Sequence, residues 1–247
     1  MRATLYAVHT SHPAHAARLM LEYKGIEHKV VNLVPGSHAA AVRALGFRRG
    51  TVPALRLDGR RIQGTRDIAR ALDRTQPAPP LFPADPRKRN RVEEAEWWCD
   101  DVLQRVPRRL GGWVFAHRAK MRARLVREVG LPAPDLLGQV GWPLTWYFAR
   151  KAGAGNSETV RDTVEVLPNL LDHVDELLEE GTIGGDRPNA ADFQIGTSVR
   201  LLLTFEDLRP ALDGRPAVRF ATGLMHDYPT GIPAGSLPQD WLKVLRR

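Results

Sequence analysis

Apolar and polar positions divide the chain into two parts of different character. In residues 1–75, short apolar runs suited to strands alternate with segments whose apolar residues recur at helical spacing. The predicted strands cover residues 3–9, 28–33, 51–57 and 60–62, and the predicted helices cover 14–24, 37–45 and 65–74. Ser37 is the predicted N-cap of the second helix, Gly25 ends the first, and Asp58-Gly59 predicts a tight hairpin. The order βαβαββα indicates an α/β unit.

A proline-rich segment, residues 76–86, follows this unit. Proline lacks the amide donor and fixes φ, so the segment cannot continue a helix. Beyond it, amphipathic stretches predict helices over residues 86–106, 113–129, 157–180 and 189–205. We therefore expect a domain of residues 1–75, a linker of residues 76–86 and an all-helical domain of residues 87–247.

Composition and charge narrow the classes of protein. The 247-residue chain has a formal net charge of +8, but its densest basic group, residues 87–91, is followed at once by three glutamates. That pattern is typical of a solvated helix start, so we do not expect nucleic acid as a partner. The single cysteine, Cys99, excludes an internal disulfide, and no apolar run is long enough to span a membrane. We expect a chain that is complete from Met1 and cytoplasmic.

Three segments carry a resemblance to a known family. Residues 50–55, Gly-Thr-Val-Pro-Ala-Leu, resemble the segment that bears the cis-proline of the thioredoxin fold, and residues 62–69 place a threonine at a helix start. Residues 183–193 resemble a "GDxPTxAD" segment, with Asn189 as helix cap and Asp192 closing a capping box. Together the segments resemble the cytosolic glutathione transferases. The resemblance implies a thioredoxin-like domain with a mixed four-stranded sheet and a cis-proline, followed by an all-α helical bundle.

The resemblance also implies a glutathione site in the first domain. Its expected members are Val52, Pro53, Gln63, Gly64, Thr65 and Arg66. Val52 turns its backbone to the cysteinyl part of glutathione, and the Thr65 hydroxyl binds the γ-glutamyl carboxylate at the helix N-terminus. Gly64 replaces an acidic or amide residue of the family, so contact with the amino group of glutathione is either lost or moved to Gln63. A threonine that only caps the helix is the alternative.

The same resemblance assigns the thiolate of glutathione to a donor at the start of the first helix. Counting back from residues 21–26, Leu-Glu-Tyr-Lys-Gly-Ile, which resemble the family's "LEEKGI", the donor falls on Ser11. Thr10 and Tyr6 are the other candidates, and the last alternative is that none of these residues activates a thiol. Ser11 as an ordinary helix cap supports that alternative.

Other chemistry-bearing residues have simpler interpretations. His9, His12 and His15 lie near one another in sequence, but no carboxylate or cysteine accompanies them, so we expect no metal. A nearby imidazole tunes the pocket or faces solvent. Cys99 is best interpreted as a small buried side chain.

The acceptor substrate is expected to lie against the helical domain, where several side chains have the spacing to face a cleft. They are Glu96, Trp97, Asp100, Asp101 and Gln104. Burial of Trp97 and Trp98 in the core is the alternative. Trp113 and residues 141–146 offer aromatic surface for a lid. Residues 110–160 match no segment of the family and look longer than usual.

The predicted activity is conjugation of the glutathione thiolate to a small, hydrophobic electrophile, as in detoxification, with glutathione as co-substrate. A glutathione-dependent isomerase would use the same site. The alternative from another class is a non-catalytic binding or scaffold protein with this fold, which Gly64 favours. Family resemblance further predicts a homodimer.

Overall fold

The first part of the chain forms one mixed sheet. The structure, a computed structural model, describes residues 2–246. The strands are β1 (Ala3–Ala7), β2 (His28–Asn32), β3 (Ala54–Leu57) and β4 (Arg60–Gln63), in the spatial order β2-β1-β3-β4. β1 pairs parallel with β2 and antiparallel with β3, and β3 pairs antiparallel with β4. The predicted mixed four-stranded sheet is confirmed.

Helices cover both faces of this sheet. They are α1 (His12–Tyr23), α2 (His38–Ala44) and α3 (Thr65–Thr75). Helices α1 and α3 pack together, while Val42 of α2 lies against Tyr6 and Phe47 on the other side. Ser37 occupies the N-cap position of α2, but its hydroxyl donates to the Val34 carbonyl and caps no helix amide. The side-chain cap expected at Ser37 is therefore wrong.

The rest of the chain is mostly helical, as predicted, although residues 225–240 contain no helix. Its helices are α4 (Pro86–Trp98), α5 (Arg105–His117), α6 (Ala119–Glu128), α7 (Pro134–Val140), α8 (Trp142–Lys151), α9 (Ser157–Glu165), α10 (Leu167–Glu179), α11 (Ala190–Leu202), α12 (Arg209–Leu212) and α13 (Pro216–Leu224). A π-helical turn, Cys99–Leu103, joins α4 to α5, and short 3-10 turns cover Glu206–Leu208 and Trp241–Arg246. Helix α11 lies in the core, and the capping box of Asn189 and Asp192 at its start is confirmed.

Three predicted helix boundaries are wrong for identifiable reasons. The stretch 86–106 is interrupted by the π-helical turn, and the stretch 157–180 divides at Val166, where Pro168 enters the first turn of α10. The predicted helix 113–129 is divided between two helices: α5 runs through Gly111 and Gly112 and ends at His117, and α6 begins at Ala119.

The two parts of the chain pack closely on each other. No helix or strand covers residues 76–85, yet Leu81 and Phe82 are buried there. The buried Lys24 ammonium donates to Asp73 Oδ1 and to the Gln76 carbonyl, each at 2.6 Å, which fixes the start of this segment. Over residues 2–246, no helix has the length and apolar character needed to cross a membrane.

Candidate functional site

A cleft of about 820 Å³ opens where the sheet domain meets α5 and α8. Eight of the nine side chains and backbone positions proposed from sequence line it. They are Thr10, Ser11, Val52, Pro53, Gln63, Gly64, Thr65 and Arg66. The exception is Tyr6, which is buried against Phe47 with ring centroids 5.7 Å apart, on the α2 side of the sheet.

Ser11 stands at the N-terminal end of α1. Its carbonyl accepts from the amides of Ala14 and His15, which begins the helix, while its hydroxyl makes no capping hydrogen bond with any described residue. The preceding carbonyl, that of Thr10, accepts from the Tyr228 hydroxyl at 3.0 Å. The helix end therefore presents an uncommitted hydroxyl together with the positive end of the helix dipole.

The loop before β3 is held by the side chain of Gln63. Its Oε1 accepts from the Arg49 amide at 2.8 Å, and its Nε2 donates to the carbonyls of Arg49 and Thr51. The Val52–Pro53 bond at the end of this loop is cis, as expected. Gln63 is thus engaged by the protein itself, so a contact between its side chain and the amino group of glutathione is not supported.

Gly64 and Thr65 form the start of α3. Gly64 is the N-cap residue and has φ +97°, a backbone conformation that side chains with a Cβ rarely adopt. Thr65 is the first residue of the helix, with only 5% of its surface exposed, and it faces the cleft. The alternative in which Thr65 is simply the cap is therefore wrong, because Gly64 holds that position.

Charged side chains make the cleft predominantly positive. The cations that line it are Arg49, Arg66, Arg70, Arg108 and Lys151, against two carboxylates, Asp67 and Asp100. Arg70 is paired with the buried Glu96 at 2.9 Å, and Arg49 lies 3.6 Å from Asp67. The excess of positive charge favours a ligand that carries carboxylates.

The three histidines near α1 have separate environments. His12 lines the cleft and is 3% exposed; burial and the nearby Arg108 hold its pKa well below the usual range. His15 bonds the His9 carbonyl at 2.8 Å, and burial lowers its pKa to about 4. Among the residues described, no group of three or more histidine, cysteine or acidic side chains has the arrangement to hold a metal ion.

The helical wall of the cleft contains only part of the set expected from sequence. Asp100 and Gln104 line the cleft. Glu96 is instead buried, where it accepts from Arg70 and from Gln194, and burial raises its pKa to about 7. Asp101 lies at the surface in an ion pair with Arg105.

The expected aromatic residues lie elsewhere. Trp97 is 56% exposed beside Glu93 and Glu94, so it belongs neither to the cleft nor to the core. Trp98 is half-buried against His173. Cys99, by contrast, is fully buried, as predicted.

The 110–160 segment lines part of the cleft, but none of its tryptophans does so. Trp113 is buried in a stack with His117, and Trp142 and Trp146 are exposed. Phe148 and Lys151 of α8 line the cleft instead, so the predicted tryptophan lid is wrong.

Sequence reasoning missed several residues of the site. Arg49 and Asp67, which lie close together at the start of α3, were not predicted as site residues. Asp67 belongs to residues 62–69, one of the segments that carry the family resemblance. Arg108 follows Gln104 by four residues, which places both on one helix face. That spacing was the available signal for Arg108.

Comparisons with known proteins agree with this architecture. Residues 5–80 match the family model described as "Glutathione S-transferase, N-terminal domain". A beta-etherase from Sphingobium sp. strain SYK-6 is 19% identical, with a TM-score of 0.60 over 90% of this chain and 99% of that chain. A glutathione S-transferase from Methylobacterium radiotolerans, in complex with glutathione sulfonate, is 21% identical, with a TM-score of 0.55 over 95% and 97%.

A third solved structure is similar to the same extent. It is a glutathione S-transferase from Methylobacillus flagellatus with glutathione bound, which is 21% identical, with a TM-score of 0.56 over 93% of this chain and 100% of that chain. At such low sequence identities, the likeness of the three structures to this chain establishes the fold.

Proposed function

Since this chain has the glutathione transferase fold and residues 5–80 match the glutathione S-transferase N-terminal domain, we propose that it binds glutathione and transfers the sulfur to a small electrophile. One observation carries the proposal: the cis Val52–Pro53 bond and the N-termini of α1 and α3 all open on one positively charged cleft. Two of the similar solved structures contain glutathione or its sulfonate as the bound molecule.

The sheet domain supplies the contacts to the tripeptide. The backbone of Val52 pairs with the cysteinyl unit, while the Thr65 hydroxyl and the first amides of α3 bind the γ-glutamyl carboxylate. Asp67, which lines the cleft on α3, takes the amino group in place of the occupied Gln63. Arg66 adds positive charge beside a ligand that carries two carboxylates.

Ser11 supports the chemistry of the sulfur. Its hydroxyl donates a hydrogen bond to the thiolate, and the N-terminus of α1 adds a favourable dipole, so the thiol loses its proton to solvent more readily. The thiolate then attacks the electrophilic carbon. A carbon–sulfur bond forms as the leaving group departs with its electron pair.

Calorimetric titration with reduced glutathione tests the proposal. We expect saturable binding that weakens about tenfold in Thr65→Ala, because a hydrogen bond to a charged group is lost. Thr75→Ala, at the exposed far end of the same helix, is the matched control and should bind like the wild type. No binding at millimolar glutathione would remove the proposal.

A non-catalytic binding protein is the second candidate. The engagement of Gln63 by the 49–51 loop favours it, because one contact to the tripeptide then depends on the exposed Asp67. Absence of glutathione binding would support this candidate, whereas saturable binding would count against it. The homodimer stays a prediction, which light scattering at micromolar protein concentration tests.

A further inference from the structure

The π-helical turn Cys99–Leu103 determines which side chains of the helical domain face the cleft. A π turn places an additional residue in one turn and changes the direction of the following side chains, and such turns are frequent at functional sites. Here the turn joins α4 to α5, and Asp100, Gln104 and Arg108 line the cleft around it. The helical side of the cleft therefore contains polar groups, of which Asp100 and Gln104 were expected from the sequence and Arg108 was not.

Two buried side-chain nitrogens at the cleft lack a hydrogen-bond partner among the described residues. His12 and Gln104 are 3% and 0% exposed, and within residues 2–246 neither His12 Nε2 nor Gln104 Nε2 has a hydrogen-bond partner. The Gln104 side chain is within hydrogen-bonding reach of the Cys99 thiol, but burial raises the pKa of that thiol to about 12, and a protonated thiol is only a weak acceptor. Buried polar atoms normally have partners, and because both residues line the cleft, a ligand bound there can supply them.

The chemistry of the three groups defines that ligand. Gln104 Oε1 accepts from Arg108, so the Gln104 NH₂ group is left as a donor. Arg108 is a permanent cation with further donors, and His12 is a neutral imidazole whose Nε2 can carry a proton. Hydrogen-bond donors next to a positive charge are suited to bind the two oxygens of a carboxylate. The one carboxylate on this wall, Asp100, interacts electrostatically with Arg108.

Apolar side chains complete the same wall. Phe115, Phe148, Phe205 and Ile232 line the cleft together with the polar groups. Aromatic side chains bind flat apolar bodies by offset or edge-to-face contacts. A ligand with an aromatic body and a charged end satisfies both sets of groups.

We propose that the acceptor is a small aromatic electrophile that carries a carboxylate, and that Gln104, Arg108 and His12 bind the carboxylate. The inference rests on the proposed function, since the aromatic carbon receives the glutathione sulfur. It assigns specificity to residues of α1 and α5 rather than to the apolar surface of the cleft.

Two unreactive probes test this inference without any turnover. Calorimetry compares 3,5-dinitrobenzoate with 1,3-dinitrobenzene, which differ by the carboxylate and lack a leaving group. We expect the wild type to bind the benzoate at least about tenfold more tightly, as for hydrogen bonds to a charged group. Arg108→Gln should remove this preference, and Gln104→Met should reduce it.

The matched control is Arg105→Gln. Arg105 lies on the same helix and carries the same charge, but it is paired with Asp101 and does not line the cleft. This variant should keep the full preference for the benzoate. If Arg108→Gln does not fold, as judged by its unfolding midpoint, Gln104→Met decides, because it leaves the net charge unchanged.

Each remaining outcome has a definite meaning. Equal binding of the two probes by the wild type overturns the inference, and so does an equal loss in Arg105→Gln. Weakening of glutathione binding by Arg108→Gln as strongly as of benzoate binding also overturns it, since Arg108 would then belong to the tripeptide site. Benzoate preference that depends on Arg108, in a protein that does not bind glutathione, supports the carboxylate site while the proposed function fails.

Discussion

Two polar side chains at the cleft, Ser11 and Gln104, lack a hydrogen bond that their positions would allow within residues 2–246. Ser11 occupies an N-cap position without using its side chain to cap, and Gln104 is buried with its Nε2 unpartnered. The buried Gln104 amide costs stability unless a ligand or water binds it, whereas Ser11 is partly exposed and its hydroxyl is accessible from the cleft. Both residues line the cleft, so the effect of a ligand can be tested at each of them.

Replacement of Ser11 by alanine should separate turnover from binding. We expect Ser11→Ala to lower kcat about 100-fold, the typical loss when one donor to a developing anion is removed. The Kd for glutathione should change little, because the hydroxyl contacts only the sulfur. Steady-state kinetics with a chlorinated nitroaromatic electrophile, together with calorimetry, measures both quantities.

The control for this prediction is Ser11→Thr, which keeps the hydroxyl and should retain much of the activity. Unchanged turnover in Ser11→Ala would exclude Ser11 from the mechanism and turn attention to Thr10, the neighbouring hydroxyl that lines the cleft.

At the scale of single elements, caps and turns explain which boundaries the sequence predicted well. The start of α11 was predicted correctly because Asn189 and Asp192 interact over three residues. The start of α2 was placed correctly, but the use of Ser37 was not, because its hydroxyl bonds backward to Val34. Both interactions join residues close together in the chain, but only the capping box of Asn189 and Asp192 requires a recognisable pair of residue types.

The capping box of α11 predicts a measurable contribution to stability. Asn189→Ala removes the acceptor for the amides of Ala191 and Asp192, so we expect the free energy of unfolding to fall by about 1–2 kcal/mol. Urea unfolding measures the loss. Ser37→Ala is the matched control, with a change close to zero, because the Ser37 side chain caps no amide in α2. Equal losses in the two variants would contradict the assignment.

The helical segments show where element prediction reaches its limit. The predicted helix begins at residue 113, but α5 already runs through Gly111 and Gly112, and an added Cβ at Gly112 would lie 3.2 Å from Ala154 Cβ. The glycine thus serves a close approach of packed segments. The π-helical turn at Cys99–Leu103 has no sequence signal comparable to a proline or a glycine, and it separates Gln104 from the predicted continuous helix.

At the scale of the whole molecule, the sheet domain and the helical domain share a core. The rings of Tyr23 in α1 and Phe193 in α11 lie 5.7 Å apart, and Arg70 of α3 pairs with Glu96 of α4 at 2.9 Å. Such packing couples the unfolding of the two parts, because neither can open without exposing apolar surface of the other.

Glutathione should therefore stabilise the helical domain as well as the sheet domain. All six tryptophans follow residue 96, so their fluorescence reports on the helical domain. At a glutathione concentration of 100 times Kd, we expect urea unfolding followed by this signal to shift by about 2.7 kcal/mol. Far-UV circular dichroism should give the same shift. Two separate transitions, with only one sensitive to glutathione, would contradict the shared core.

The sequence by itself determined the order of strands and helices, the cap of α11, the cis-proline segment and most of the sheet-domain side of the cleft. These features depend on residues close together in the chain, such as the Gly64-Thr65 pair whose first member adopts φ +97°. Resemblance to the family located them, because such local conformations require particular residue types.

Only the tertiary structure decided which polar residues of the helical domain face the cleft. Successive residues of an α-helix point about 100° apart, so the π-helical turn redirects the side chains that follow it. Among the residues with suitable spacing, Asp100 and Gln104 line the cleft, whereas Glu96 is buried against Arg70 and Trp97 faces solvent. The orientation of a helix and its packing partners, which no local pattern encodes, select the residues that line the helical side of the cleft.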